Sequence, residues 1–290
     1  MDSNRLRHFV AVVDHGGFTA AAHAVYVSQP ALSLAVKELE TELGVALFTR
    51  TGRRVQLTPA GTALLEPARQ VLRDLETGQA AVDAVAGLRA GNMTMASLPT
   101  LAADPVAPLV GAFRRRYPGV RIDLAAPDGT SELFDLVVAG TCELGVTDAR
   151  DIPDVLESHP LGRQSLVLIR PPGSDHVEGA EIDLATLRGT PFVVTPRGTS
   201  TFRLLEEGFA AVQASPAVAV VTAQRDAIVP LVIAGAGAAL VPESVARTAS
   251  GLGAVTARPT PDVERALVLI HRAGPLSPAA TRFIEIATGE

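Results

Sequence analysis

Leu32, Val36, Leu39 and Leu43 recur at spacings of 4, 3 and 4, while Gln29, Ser33, Leu34, Lys37 and Thr41 fall on the opposite face. That period predicts one amphipathic helix over residues 28–44. Both of its ends are marked. Ser28 is a good N-cap, because its hydroxyl accepts from free N–H groups of the first turn. Pro30 falls in that turn, where a missing N–H costs nothing, and Gly44 suits the left-handed C-terminal position. Upstream, Leu6, Phe9, Val10 and Val13 form an i, i+3, i+4, i+7 face on a first helix that Gly16-Gly17 stops. Thr19 to Val25 reads as a short, Ala-rich second helix able to pack closely. Val45–Phe48 and Val55–Leu57 read as two short strands around Arg50-Thr51-Gly52-Arg53-Arg54, a basic hairpin tip. Three short helices with a polar outer face on the third match a helix-turn-helix, and the hairpin would be its wing.

Thr58 and Pro59 then open a longer helix, threonine as N-cap and proline at the first position. Leu64, Ala68, Val71, Leu75, Gly78, Val82 and Val85 are spaced 4, 3, 4, 3, 4, 3, a heptad seam. After a DNA-reading module such a seam favours self-association over packing on the chain's own later domain. Gly87 to Gly91 reads as a hinge. From Met93 the pattern alternates. Strands are expected at Met93–Ala96, Val120–Ala125, Glu143–Thr147, Leu166–Ile169, Pro191–Thr195, Val218–Thr222, Ala238–Val241 and Ala266–Ile270. Helices are expected at Ala102–Tyr117 (broken near Pro105 and Pro108), Ser131–Ala139, Phe202–Ala211, Asp226–Ala234 and from Ser277-Pro278 to Ala287. Alternation of this kind implies mostly parallel sheets. The same order occurs twice, near 93–163 and 166–265, which predicts two similar lobes.

Composition narrows the picture. The chain has 290 residues, 47% of them hydrophobic, enough for about two domains with buried cores. Met1-Asp2-Ser3-Asn4 is polar and unlike a signal peptide, and the most apolar run, Ile228–Pro242, is too short for a membrane span. The reading is a cytoplasmic chain with no membrane partner. Its one cysteine, Cys142, excludes an internal disulfide and is expected to be a small buried hydrophobe. Net charge is −6. Residues 1–60 hold six basic and five acidic groups, net +1, which leaves −7 for the rest. An acidic chain binds nucleic acid only through local positive charge, doubled by dimerisation.

Candidate chemistry follows from these placements. Ser28, Gln29, Pro30, Ser33, Leu34 and Lys37 would meet base edges in a major groove, and Arg50, Arg53 and Arg54 would hold phosphates or the adjacent minor groove. In open α/β sheets, ligands bind beyond the carboxyl ends of strands, near helix N-termini. Hydroxyls gather at such places: Ser97, Thr100, Thr130, Ser131, Thr147, Thr195, Thr199, Ser200, Thr201 and Thr222. Thr195-Pro196-Arg197-Gly198-Thr199-Ser200-Thr201, before a helix, would suit a carboxylate or other small anion. No cofactor and no metal site is expected. Six histidines lack metal spacing, and Gly235-Ala236-Gly237 precedes a strand and lacks the third glycine of a dinucleotide fingerprint. Arg114-Arg115-Arg116 is read as a solvated helix end.

Phe9…Gly16-Gly17-Phe18-Thr19-Ala20-Ala21-Ala22, Val27-Ser28-Gln29-Pro30-Ala31-Leu32-Ser33, Leu39-Glu40…Leu43-Gly44-Val45…Leu47-Phe48-Thr49-Arg50 and Leu57-Thr58-Pro59-Ala60-Gly61 together resemble the LysR-type transcriptional regulators. The likeness is near-continuous over the first 61 residues and weaker beyond, where Phe113 to Val120 also resembles the family. Position 34, usually long and polar or basic in that family, is Leu34 here, which exchanges a polar contact for one with a thymine methyl. The resemblance implies an α/β chain: a winged helix-turn-helix over 1–58, a dimerising linker helix over 59–88, and an effector domain over 91–290. That last domain would be two-lobed, like type 2 periplasmic-binding proteins. Lobe 1 would take about 91–163 and 266–290, and lobe 2 about 164–265. The last strand and helix would return to the first lobe, and effectors would contact Ser97, Thr100, Thr130 and Thr199 to Thr201. It further implies double-stranded DNA as a partner, a homodimer that pairs into a homotetramer, and RNA polymerase as a downstream partner. The rivals are a two-lobed solute-binding protein or enzyme, and a DNA-binding protein that needs no effector. The reading helix and the absence of a signal-peptide pattern count against a solute-binding protein, and the missing catalytic constellation counts against an enzyme.

Overall fold

The N-terminal pattern folds as α1 (Ser3–Asp14), α2 (Phe18–Ala24), α3 (Gln29–Leu43), the hairpin β1 (Phe48–Thr51) and β2 (Arg54–Leu57), then α4 (Pro59–Val85). The computed structural model describes residues 1–51, 54–85, 91–175 and 179–289. These divide into two compact units, residues 1–88 with 275–278 and residues 89–274 with 279–290.

In the first unit, Leu6, Phe9, Leu39 and Leu47 close over Ala68 and Leu72 of α4, while Ala11, Val12, Ala21, Ala22, Leu32 and Val36 fill the space between α1, α2 and α3. Burying a leucine or phenylalanine of this kind contributes about 1.5–3 kcal/mol. Phe48 joins the two clusters, its ring 5.4 Å from that of Phe9 and 5.5 Å from that of Phe18. A side chain at Gly61 would put a Cβ 2.2 Å from the Leu47 carbonyl oxygen, so glycine there lets α4 lie against the hairpin. Two expectations need correcting. Leu43 is 37% exposed and lies outside the core stripe. The first strand begins at Phe48, not at Val45. Gly44 takes φ 72°, and the chain leaves α3 as an irregular tie. The Leu47 and Phe48 N–H groups on that tie donate to Glu40 Oε1 at 2.7 and 3.2 Å.

The second unit opens with β3 (Gly91–Ser97), the short turn α5 (Pro99–Leu101) and a wide turn, Ala102–Val106, before α6 (Ala107–Arg116). The expected helix thus starts later, because Asp104 before Pro105 is extended (φ −155°, ψ 116°). Then follow β4 (Val120–Ala125), α7 (Thr130–Val138), β5 (Leu144–Asp148) and β6 (Leu156–Arg170). Next come β7 (Ala180–Asp183), β8 (Pro191–Val194), α8 (Ser200–Ala211), β9 (Ala217–Val221) and α9 (Ile228–Ile233). The chain closes with β10 (Ala239–Pro242), α10 (Glu243–Gly251), β11 (Val255–Thr260), β12 (Glu264–Arg272) and α11 (Pro278–Thr288). The expected hinge lies almost wholly at 86–90, outside the described residues.

The sheets are mixed, not mostly parallel. One sheet runs β4-β3-β5-β12-β6-β11-β7, with β10 also on β6, and β8 pairs with β9. Parallel pairs (β3 with β4 and β5, β7 with β11, β8 with β9) lie within the lobes, whereas β12 runs antiparallel to β5 and β6. The reason is the crossover. β6 pairs with β12 over Leu156–Ser165 in the first lobe, then with β10 and β11 over Leu166–Arg170 in the second. α11 returns to the first lobe, where the Phe283 ring sits 5.5 Å from that of Phe113. In the second lobe, Leu168, Leu184, Phe192, Phe202 and Phe209 pack on one face of the strands, and Ile169, Val193, Val232, Val241 and Ala246 on the other. Gly237, at φ 147°, brings its backbone so near Pro191 that a Cβ would meet that carbonyl oxygen at 2.4 Å.

Candidate functional site

α3 presents its N-terminal turn to solvent. Ser28 Oγ accepts from the Ala31 N–H at 3.3 Å, which fixes where the helix starts. Ser28, Gln29, Pro30 and Lys37 are exposed, Ser33 is half-buried, and Leu34 is 58% exposed. Gln29 Nε2 donates to Ser33 Oγ at 3.0 Å, so the two side chains hold each other. On the buried side, Leu32, Val36 and Leu39 anchor the helix, and Arg5 ties its far end through Glu38 (3.0 Å) and Glu42 (3.1 Å). A rigid helix with a polar, exposed first turn is the shape that enters a major groove. Arg50 and Arg54 lie on β1 and β2, paired with Val55 and Thr51. Arg53 and Gly52 lie outside the described residues.

Along α4 the heptad seam divides. Leu64 and Ala68 pack into the core of the first unit, while Val71, Leu75 and Val82 stay exposed, Leu75 at 52%. Val85 belongs to the helix by its backbone.

The hydroxyls of the second unit have separate fates. Thr199 caps α8: it accepts from the Phe202 N–H at 3.4 Å, donates to the Pro196 carbonyl at 2.9 Å and takes the Thr195 hydroxyl at 2.6 Å. Both hydroxyls are engaged in holding that loop. Thr222 is likewise turned inward, accepting from the Gln224 N–H at 3.0 Å. Ser97, buried at the end of β3, donates to the Leu98 carbonyl at 3.1 Å. Thr130 and Ser131 open α7, half-buried and exposed respectively. Thr147 and Thr201 are buried with hydroxyls that have no partner. Thr201 and Thr195 line a narrow recess whose other walls are Val193, Val194, Phe202, Leu205, Ile228 and Leu240.

Thr100 and Ser200 converge on a residue that the sequence did not single out. Arg265, opposite Gln164 where β12 meets β6, is 4% exposed. Its Nη1 donates to Ser200 Oγ at 2.7 Å and its Nη2 to Thr100 Oγ1 at 3.3 Å. Burial draws its pKa down to about 10, so it stays charged at neutral pH. Two further pairs join β5 and the residues after it to α8: Asp148 with Arg203, and Arg150 with Glu207 through a fork of two bonds at 2.8 and 3.0 Å. Asp148 is buried and one of its oxygens is without a partner. Arg225, in the turn after β9, is held below the usual guanidinium range by burial, offset by the carboxylate of Asp128.

Comparison with known proteins decides the family. Residues 3–62 match the model of the bacterial regulatory helix-turn-helix protein, lysR family, and residues 86–290 match that of the LysR substrate binding domain. The chain belongs to the LysR family of transcriptional regulators. Among curated relatives of this LysR regulator is the nitrogen assimilation regulatory protein nac of Klebsiella aerogenes. It is 32% identical over 99% of this chain and 94% of its own length. The regulator TfdS of Cupriavidus pinatubonensis is 33% identical over 85% of this chain and 84% of its own. Full-length CbnR, solved in complex with its target DNA, is 28% identical with a TM-score of 0.69, covering 99% of both chains. A full-length OxyR variant from Pseudomonas aeruginosa, 23% identical, shares the fold with a TM-score of 0.73 over 100% of this chain and 94% of its own. As a LysR regulator the chain binds DNA through its helix-turn-helix and responds to a small molecule through its two-lobed domain. Among its described residues no helix is long and apolar enough to cross a membrane.

Proposed function

We propose that this regulator reads its operator with Gln29, Pro30, Ser33, Leu34 and Lys37 in the major groove, Ser28 fixing the helix start beside a phosphate. Arg50, Arg53 and Arg54 of the wing hold phosphates or the adjacent minor groove. The observation behind this reading is the exposed first turn of α3, polar on its outer face and anchored from beneath by Leu32, Val36 and Leu39. Two chains associate through the exposed half of the α4 seam, Val71, Leu75 and Val82, and two such dimers form a tetramer. Two reading heads suit DNA with two-fold half-sites. The effector is a small carboxylate or other small anion bound between the lobes, among the hydroxyls and arginines that gather there. It acts by population shift: differential affinity of a few kcal/mol between two lobe arrangements alters the spacing of the reading heads and the contact with RNA polymerase. The chain works in the cytoplasm, catalyses no reaction and uses no cofactor.

The test is a gel-shift titration against the DNA upstream of its own coding region, with random duplex as competitor, at several salt concentrations. The reading requires preferential binding whose affinity falls steeply with salt. Salt-sensitive binding without preference for any sequence would favour a DNA-compacting protein instead.

A further inference from the structure

β6 and β12 bring together two histidines that lie 112 positions apart in the chain. His159 Nε2 and His271 Nε2 are 3.0 Å apart, with ring centroids 5.1 Å apart and planes 22° from parallel. The centroid separation exceeds the nitrogen gap by about two ring radii, so the rings meet edge to edge, nitrogen facing nitrogen. His271 is buried, and its Nδ1 lies 2.7 Å from the Arg272 carbonyl oxygen. A carbonyl only accepts, so Nδ1 carries the proton and Nε2 keeps a lone pair. His159 supplies the Nε2 proton between the rings. Glu157 stands opposite His271 in the β6–β12 pairing, and its Oε2 is 3.7 Å from His271 Nε2. Residues 157 and 159 are two apart on one strand, so all three side chains leave the same face of the sheet.

We propose that His159, His271 and Glu157 form a zinc-class metal site in the first lobe, the imidazoles ligating through Nε2 and the carboxylate through one oxygen. Tetrahedral zinc, about 2.0–2.1 Å from each nitrogen, holds two ligand atoms about 3.4 Å apart. The gaps of 3.0 and 3.7 Å lie on either side of that value, so small side-chain rotations suffice. The ion takes the place of the proton between the rings. That proton passes to His159 Nδ1, the other neutral tautomer, and none is released. The His271 Nδ1–H on a backbone carbonyl is the outer bond that orients a ligating imidazole. Among the described residues no group of three His, Cys, Asp or Glu side chains stands ready-made around a metal position. Here the two imidazoles are in place, and Glu157, 58% exposed, has the freedom to complete the set, with water in the fourth position. Imidazole ligands select zinc, nickel or copper over magnesium and calcium, which take oxygen. β6 and β12 are also the strands that carry the chain between the lobes, so an ion that clips them together acts on the lobe junction.

The experiment is a zinc chloride titration of the untagged, full-length protein, first stripped with a chelator, in competition with a fluorescent zinc indicator at neutral pH. The wild type should take up one ion per chain in its tightest step, and excess magnesium should not displace it. The unfolding midpoint should rise by about 4 °C at ten times the dissociation constant. His271→Gln should abolish the tight step. Should that buried variant fail to fold, His159→Gln, at a half-buried position, should weaken zinc binding at least tenfold. His23→Gln, on the exposed end of α2, should bind zinc as the wild type does. A wild type that takes up no zinc, or a His159→Gln variant that binds it as tightly, overturns the site. Equal loss in His23→Gln also overturns it, and displacement by magnesium overturns the metal class.

Discussion

Glu40 ties the reading helix to its wing, and removing that tie has a calculable cost. One carboxylate oxygen accepts the N–H groups of Leu47 and Phe48 at 2.7 and 3.2 Å, in a stretch where Leu47 is buried and neither N–H has a strand partner. A hydrogen bond to a charged group contributes about 1.5–3 kcal/mol, and a donor left unsatisfied costs a similar amount. Glu40→Ala should therefore destabilise the first unit by about 2–4 kcal/mol, lowering its unfolding midpoint by roughly 10–30 °C. Glu40→Gln keeps an acceptor oxygen and loses the charge, so about 1 kcal/mol is expected. Thermal unfolding followed by circular dichroism gives the stability, and amide hydrogen exchange at Leu47 and Phe48 gives the local effect. Operator affinity should fall even at temperatures where the variant is fully folded, because the hairpin loses its fixed position relative to α3. Glu40→Ala within about 0.5 kcal/mol of wild type, with unchanged exchange at both amides, would refute the tie.

Other expectations test the interface, the seam and the core. Ser33→Ala should relax base preference more than total affinity in competition gel shifts, since it frees Gln29 from its 3.0 Å bond; an equal loss on random DNA contradicts a reading role. Arg53→Ala should weaken binding to every sequence and lower the salt slope by about 1; unchanged affinity removes the wing tip from the contact set. Leu75→Glu places a charge in the exposed half of the α4 seam and should shift sedimentation velocity toward monomer, and a variant that sediments as the wild type argues against the seam. Burial pushes the Cys142 thiol up to about 11, so the native protein at pH 8 should resist a thiol reagent that labels the urea-unfolded chain within minutes. Because that raised value favours the neutral thiol, its contribution is present below the unfolded value near 9 and is lost as pH rises toward 11. Cys142→Ser should flatten this part of the stability curve.

The local signals were strongest where one element buries one face. α1, α3 and the start of α4 announce themselves through a 3.6-residue period with caps at their ends, and the structure uses those caps: Ser28 on Ala31, Thr58 on Gly61. Leu43 misled because periodicity continues one turn beyond the surface that covers it. In the second unit, β7, α10 and β11 escaped notice. α10, Glu-Ser-Val-Ala-Arg-Thr-Ala-Ser-Gly, buries only Ala246 and Ala249, too little apolar material to mark a face. β6 was read as a short strand from Leu166 because Pro160 and Gly162 interrupt its first half, where the pairing with β12 shifts register. The tie formed by Arg114 was also hidden: read as a solvated helix end, it donates to the Pro118 and Val120 carbonyls and closes the turn into β4. Arg265 shows the same effect most sharply. Its partners lie 65, 101 and 165 positions away, and no spacing within the sequence connects them. An arginine in a strand reads as a solvated charge until the two lobes close around it.

Selection of genomic DNA fragments by the full-length protein tests the central claim most directly. Sheared DNA from the source organism is incubated with the protein at physiological salt, and bound fragments are recovered and sequenced. A sequence-specific regulator enriches a small set of fragments sharing one two-fold motif, and Ser33→Ala blurs that motif. Recovery of fragments in proportion to their abundance, with no shared motif, would contradict the account.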